Sequence, residues 1–212
     1  MEIYQTEEQQ VDAIKKYWDE NGTTIIAGLV IGLAGFVGFN YYKEYNLEQE
    51  LAASNAYQAV LENASKDSES FATQGEKFIA DNATSSYASL TALSLAKESA
   101  NANDWPQVEK HLSVAIEKAT DAGIKAIATT RLARVQIQQG NIDQALTTLS
   151  AQLPESFKAS VEEIKGDAYL KQDKKDLARN AYQAALDADG QNTNPSLQMK
   201  LDDLAENINL SK

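Results

Sequence analysis

Residues 23–42, TTIIAGLVIGLAGFVGFNYY, carry no charge and are flanked by Lys15 and Lys16 before them and Lys43 after. At 1.5 Å per helical residue, about 20 residues reach across roughly 30 Å of hydrocarbon, and a helix satisfies its own backbone there. Ile25 to Phe39 is apolar or glycine on every face, whereas a soluble core helix of that length would carry a polar stripe. One membrane span is therefore expected. A cleaved signal peptide fits less well, because the preceding residues are acidic and numerous. Phe39, Asn40, Tyr41 and Tyr42 are also too bulky for the end of a cleavable run.

The span divides the chain into a tail over 1–22, a transmembrane helix over 23–42, linking helices over 43–85 and a repeat domain over 86–212. In the tail Val11, Ile14 and Trp18 share one face of a short amphipathic helix. Tyr17 and Trp18 before the span, and Phe39, Tyr41, Tyr42 and Tyr45 at its far end, form aromatic belts that fix its depth. Two lysines and the amino terminus precede the span and one lysine follows it closely. The positive-inside rule then puts the tail in the cytoplasm and the domain outside, by a small margin.

The tail and span hold 2 basic and 6 acidic residues and the rest of the chain 17 and 25, so the net charge of −12 divides into −4 and −8. Such a surface repels phosphate backbones, and no nucleic-acid partner is expected. The absence of cysteine excludes disulfides, thiol catalysis and cysteine-based metal sites.

Beyond Leu47 the pattern is helical throughout. Prolines stand only at 106, 154 and 195, turn clusters such as Gly140-Asn141 separate alanine-rich segments, and no stretch alternates with period two. The expected class is all-α, with helices over about Leu47–Ala64 and Phe71–Ala80 ahead of the repeats.

Ala133 to Gly166 is 33 residues and Ala145 to Ala178 is also 33. That spacing fits a helix-turn-helix repeat of about 34 residues, in which small residues sit where two helices cross and a large residue fills the gap one turn later. The segments LARVQIQQGNIDQALTTL and GDAYLKQDKKDLARNAYQAALDAD resemble the tetratricopeptide repeat. A degenerate earlier copy is set at Leu95-Ala96, Asn103-Asp104-Trp105, Leu112 and Ala115. The expected fold is a transmembrane helix followed by a tetratricopeptide-repeat-like solenoid. A capping helix over Ser196–Ile208, with Leu197, Leu201, Leu204 and Ile208 on one face, closes its last apolar surface.

Little points to catalysis. His111 is the only histidine and reads as a surface residue, with no second histidine or cysteine to join it. Glu162-Glu163, Asp187 with Asp189, and Asp202-Asp203 read as solvated helix faces and ends. Asp187-Ala-Asp-Gly190 lacks the glycine position and glutamate of a calcium loop. Phosphate-cradling, dinucleotide and nucleophile-elbow motifs are also absent, so no enzyme, metal or cofactor is expected.

Two surfaces remain as candidates. Gly28, Gly32 and Gly35 fall within about 60° of one another around the anchor, a surface that lets membrane helices approach closely; the alternative is that glycines are simply common in such helices. On the repeats, Lys97, Arg134, Ile137, Asp167 and Leu170 would face a concave groove. The alternative makes them ordinary surface or inter-repeat residues, more so for Ile137 and Leu170. Leu93 and Lys97 stand where repeats that grip a terminal carboxylate carry lysine and asparagine, which argues against that ligand.

The opening MEIY, the tail QVDAIKKYWDENG running into the glycine-rich anchor, and RLARVQ before a Gly-Asn turn resemble the YfgM family, the ancillary subunit of the bacterial SecYEG translocon. The resemblance implies a single-pass inner-membrane protein with a cytoplasmic tail and a periplasmic repeat domain. It further implies association with the translocon and with a membrane-anchored periplasmic chaperone of the prolyl-isomerase type, passing exported polypeptides onward. The function expected is thus a non-enzymatic adaptor of protein secretion. The alternatives are a regulator of envelope-stress signalling, whose tail holds a cytosolic response regulator, and a cell-envelope assembly scaffold.

Overall fold

The computed structural model describes residues 7–64, 68–188 and 194–204. They are helical with short connections and contain no strand, so the all-α class with a repeat-like helical domain holds. The first helix, α1, runs over Glu7–Ala64 and covers three stretches that the sequence treats separately: tail helix, anchor and first linking helix. Nothing between them breaks it, since residues 7–64 contain no proline and their glycines are spaced singly. By packing, the chain forms two compact units, Met1–Ala52 and Ala53–Lys212.

In the first unit the apolar side chains of the anchor, Leu29, Ile31, Phe36 and Val37 among them, lie exposed. This is the one helix among the described residues long and apolar enough to cross a membrane. Trp18 lies over Gly22, where an added Cβ would meet its ring at 3.2 Å.

The second unit is a series of helix pairs. α2 (Ser68–Asp81) packs on α3 (Ser86–Asn101), and α3 pairs with α4 (Trp105–Lys118). α5 (Ala122–Gln138) pairs with the short α6 (Ile142–Thr148); a 3₁₀ turn over Glu155–Phe157 leads into α7 (Lys158–Lys171), which pairs with α8 (Lys175–Asp187). α9 (Leu197–Asp202) then covers α8. It starts within the capping segment expected from Ser196; the expected Ile208 lies outside the described residues.

The connections inside the three pairs share one geometry. Asn103, Gly140 and Asp173 have φ of 56°, 83° and 57°, and each is followed by a residue whose backbone N–H reaches five residues back: Asp104 to Ser99 (2.9 Å), Asn141 to Gln136 (2.8 Å) and Lys174 to Tyr169 (2.9 Å). This left-handed turn satisfies carbonyls left open at a helix end, and glycine, asparagine and aspartate are the residues that enter it at least cost. Gly140 to Asp173 repeats the 33-residue spacing, while Asn103 to Gly140 is four residues longer. The sequence pattern sets the extra residues around Asp121–Lys125, where α5 begins.

Counting back seven residues from each turn gives Ala96, Ala133 and Gly166, all buried. Counting forward nine gives Leu112, Leu149 and Tyr182, no more than 2% exposed. The large residue of each second helix thus fills the space left by a small residue of the first. The pairing is most extreme in the last copy, where a Cβ on Gly166 would overlap the Tyr182 ring. Between pairs the core continues through Val108 and Leu132, then Val161 and Ile164, and ends where Leu197 of α9 seals Tyr182 and Ala185.

Candidate functional site

The first helix of each pair turns one side to solvent, and the sequence fixes which residues stand there. Lys97, Arg134 and Asp167 lie six residues before their respective turns, and Ala100, Ile137 and Leu170 three before. Two adjoining hollows follow this line. One, of about 540 Å³, is floored by Leu93, Val108, Leu112 and Val135 and edged by Tyr57, Lys97, Arg131 and Arg134. The other, of about 580 Å³, is lined by Arg134, Ile137, Gln138, Asp167, Leu170 and Lys171.

All five groove residues expected from the sequence therefore line one hollow or the other, with Arg134 in both. Ile137 also packs against the core of its repeat, whereas Leu170 is 42% exposed. Arg131 and Lys171 line the same surface and escaped the sequence reading. Simple helical spacing would have found them, because each lies three or four residues from a chosen neighbour on the same face.

Asp167 is less available than its position implies. Its carboxylate accepts a hydrogen bond from the Tyr182 hydroxyl at 2.7 Å and pairs with Lys200 of α9 at 2.8 Å. Lys200 also reaches Glu163 at 2.7 Å, where the Asn194 side-chain amide donates at 2.6 Å, and lies 5.6 Å from the centre of the Tyr182 ring. Burial pulls the Lys200 ammonium down, but its hydrogen bonds to Asp167 and Glu163 outweigh this and hold its pKa above the ordinary lysine value. Burial, then the bond to Asp167, pushes the Tyr182 phenol far up. This network corrects the reading of Glu162-Glu163 as a solvated pair: Glu163 is 7% exposed. The pair stands next to the buried core residue Ile164, so one carboxylate faces inward where α9 supplies its partner.

His111 is a second correction. It lies only 6% exposed, because the buried side of α4 runs Val108, His111, Leu112 and Ala115 and includes it. Burial first, then the charge of Lys110, lowers its pKa below the ordinary 6.5. A histidine with a depressed folded pKa gives stability that is present above 6.5 and lost as pH falls through the folded value. Glu76, held low chiefly by the Lys110 hydrogen bond, remains ionised in that window. Urea midpoints measured between neutral pH and pH 5 should therefore fall with acid in the parent chain. They should fall less steeply in His111→Gln.

In the anchor, an added Cβ at Gly28, Gly32 or Gly35 meets nothing within 4 Å, so this face is open. Among the described residues no group of three histidine, aspartate or glutamate side chains is arranged to hold a metal ion.

A family model described as a tetratricopeptide repeat-like domain matches residues 15–206. Curated relatives include proteins of Escherichia coli strain K12, 32% identical over 97% of this chain and 100% of the relative, and of Haemophilus influenzae, 31% identical over 93% and 97%. A relative from Aggregatibacter actinomycetemcomitans is 33% identical over 93% and 97%. All three carry the name ancillary SecYEG translocon subunit. A match that runs from the tail to the last helix, with the repeat geometry intact, leaves one conclusion: this chain belongs to the family of ancillary SecYEG translocon subunits.

Proposed function

We propose that the protein is a non-enzymatic, membrane-anchored adaptor of the SecYEG translocon in the bacterial inner membrane. The observation that carries this reading is likeness over nearly the whole length, anchor and repeats together, to relatives named for that role. A helix fit to span the membrane and a repeat domain with a continuous hollowed face support it.

In the finer reading, residues 1–22 lie in the cytoplasm, 23–42 cross the membrane, 43–85 link, and 86–212 work in the periplasm. There the groove residues Lys97, Arg134, Ile137 and Leu170 meet a membrane-anchored chaperone of the prolyl-isomerase type and exported polypeptides. Lysines before the span support that direction. Anchoring makes weak contacts sufficient, since tethering raises the effective concentration of a neighbour to roughly millimolar.

Co-purification of the tagged full chain from mild detergent tests the proposal: translocon and chaperone subunits should be recovered together. Replacing Gly28, Gly32 and Gly35 jointly with leucine should cut translocon recovery severalfold if that open face is the membrane contact. Unchanged recovery would remove the glycine face from the account. Recovery of neither complex from the parent chain would sink the adaptor reading.

A further inference from the structure

Resting on the groove reading above, we infer that the hollow between α3, α4 and α5 takes a peptide segment in which a bulky apolar side chain is flanked by carboxylates. The chain carries 31 acidic residues against 19 basic, yet this hollow is lined by Lys97, Arg131 and Arg134 and by no carboxylate at all. All three cations are exposed. Among the described residues the ion pairs involve Lys110, Lys118, Lys158, Lys165, Arg179 and Lys200, and none of these three. Next along the groove, Lys171 is likewise absent from those pairs, and the neighbouring carboxylate of Asp167 is already occupied by Lys200 and the Tyr182 hydroxyl. Among the described residues, therefore, the groove is a line of positive charge outside the ion pairs of an acidic protein.

Beneath the cations the floor is apolar: the half-buried Leu93 and Val135, backed by the buried Val108 and Leu112, line a space of about 540 Å³. That volume is within the range of ligand pockets, and an apolar floor with a few charged groups at its edge fixes both the burial and the orientation of what enters. An apolar side chain fills the floor while carboxylates on either side meet Lys97 and the two arginines, whose planar guanidinium groups suit bidentate contact with a carboxylate. An anionic membrane surface fits less well. The net negative charge of the whole chain repels it, and a recessed apolar floor is out of a bilayer's reach.

The test uses the full chain in detergent and fluorescence anisotropy. A short labelled peptide, blocked at both ends, carries a Phe-Leu pair flanked by glutamates; a second carries glutamines instead. The glutamate peptide should bind about tenfold more tightly, the effect of three part-exposed ion pairs acting together, and should weaken as salt is raised. Charge reversal by K97E, R131E and R134E should abolish that preference without moving the thermal midpoint by circular dichroism, because all three side chains are exposed. Equal binding of the two peptides, binding of neither, or a preference that survives charge reversal overturns the inference. So does competition in which short-chain phosphatidylglycerol binds in a charge-dependent manner and the peptides do not. Each of these failures leaves the adaptor reading standing, since that rests on translocon recovery.

Discussion

Replacing Gly166 with alanine is expected to destabilise the repeat domain by about 3 kcal/mol, at the upper end of what overpacking a core costs. The new methyl would overlap two ring carbons of Tyr182, a fully buried side chain with its hydroxyl tied to Asp167. Neither partner is free to yield: the glycine lies inside α7, and the ring is enclosed by Ala178, Ala185 and Leu197. The other two helix pairs show what the same position tolerates, since Ala96 faces Leu112 and Ala133 faces Leu149 in the same frame. Adding Tyr182→Leu to Gly166→Ala should therefore recover much of the loss. Tyr182→Leu alone should be destabilising, by the lost ring and hydroxyl. A double-mutant cycle in urea should thus show strong coupling between the two positions. Additive effects would mean that the domain relaxes around Gly166, contrary to the close crossing described here.

Lys200→Met is expected to cost a further ~3 kcal/mol, concentrated at the end of the solenoid. Lys200 is the cation that neutralises Glu163, whose side chain is only 10% exposed, and Asp167. Removing it leaves two nearby carboxylates without their countercharge and loosens α9, so hydrogen exchange should rise first in Leu197–Asp202. Glu163→Gln added to Lys200→Met should restore part of the stability, because a neutral amide costs less to bury than an unpaired carboxylate. The pH dependence has a definite sign. The folded pKa of Lys200 is raised, so its contribution is complete below the ordinary lysine value and lost as pH rises through the raised one. Tyr182, also raised, works in the same direction. Alkaline titration should release α9 before the other helices, and in Lys200→Met that early release should be absent.

The repeat was legible because its constraints are local. A left-handed turn admits few residue types, and helices that cross closely need small residues at fixed distances from it, so Asn103, Gly140 and Asp173 and the small residues seven positions earlier show as a period in the chain. The groove followed from the same frame, which is why Lys97, Arg134, Ile137, Asp167 and Leu170 all reach its hollows. What escaped depended on residues distant in sequence. Glu163 reads as solvated until Lys200, 37 residues later, folds against it, and Asp167 reads as free until the same lysine takes it. His111 was misplaced for a simpler reason: a polar residue on the inward side of an amphipathic helix cannot be told from one at its edge by periodicity alone. The run-on of the anchor into the Leu47–Ala64 helix was legible, because only a few residues and no proline separate them, and α1 joins them without a break.

The chain is proposed to work as an adaptor at the translocon, held there by its anchor. Site-specific photocrosslinking in intact cells, scanned along 23–42 and repeated at Arg131 and Arg134, tests this most directly. Crosslinks to SecY, SecE or SecG are expected from one face of the anchor, with the strongest at positions beside Gly28, Gly32 and Gly35, and crosslinks to periplasmic proteins from the groove. A scan that yields no translocon subunit from any anchor position, with the protein at its native level, would contradict the account.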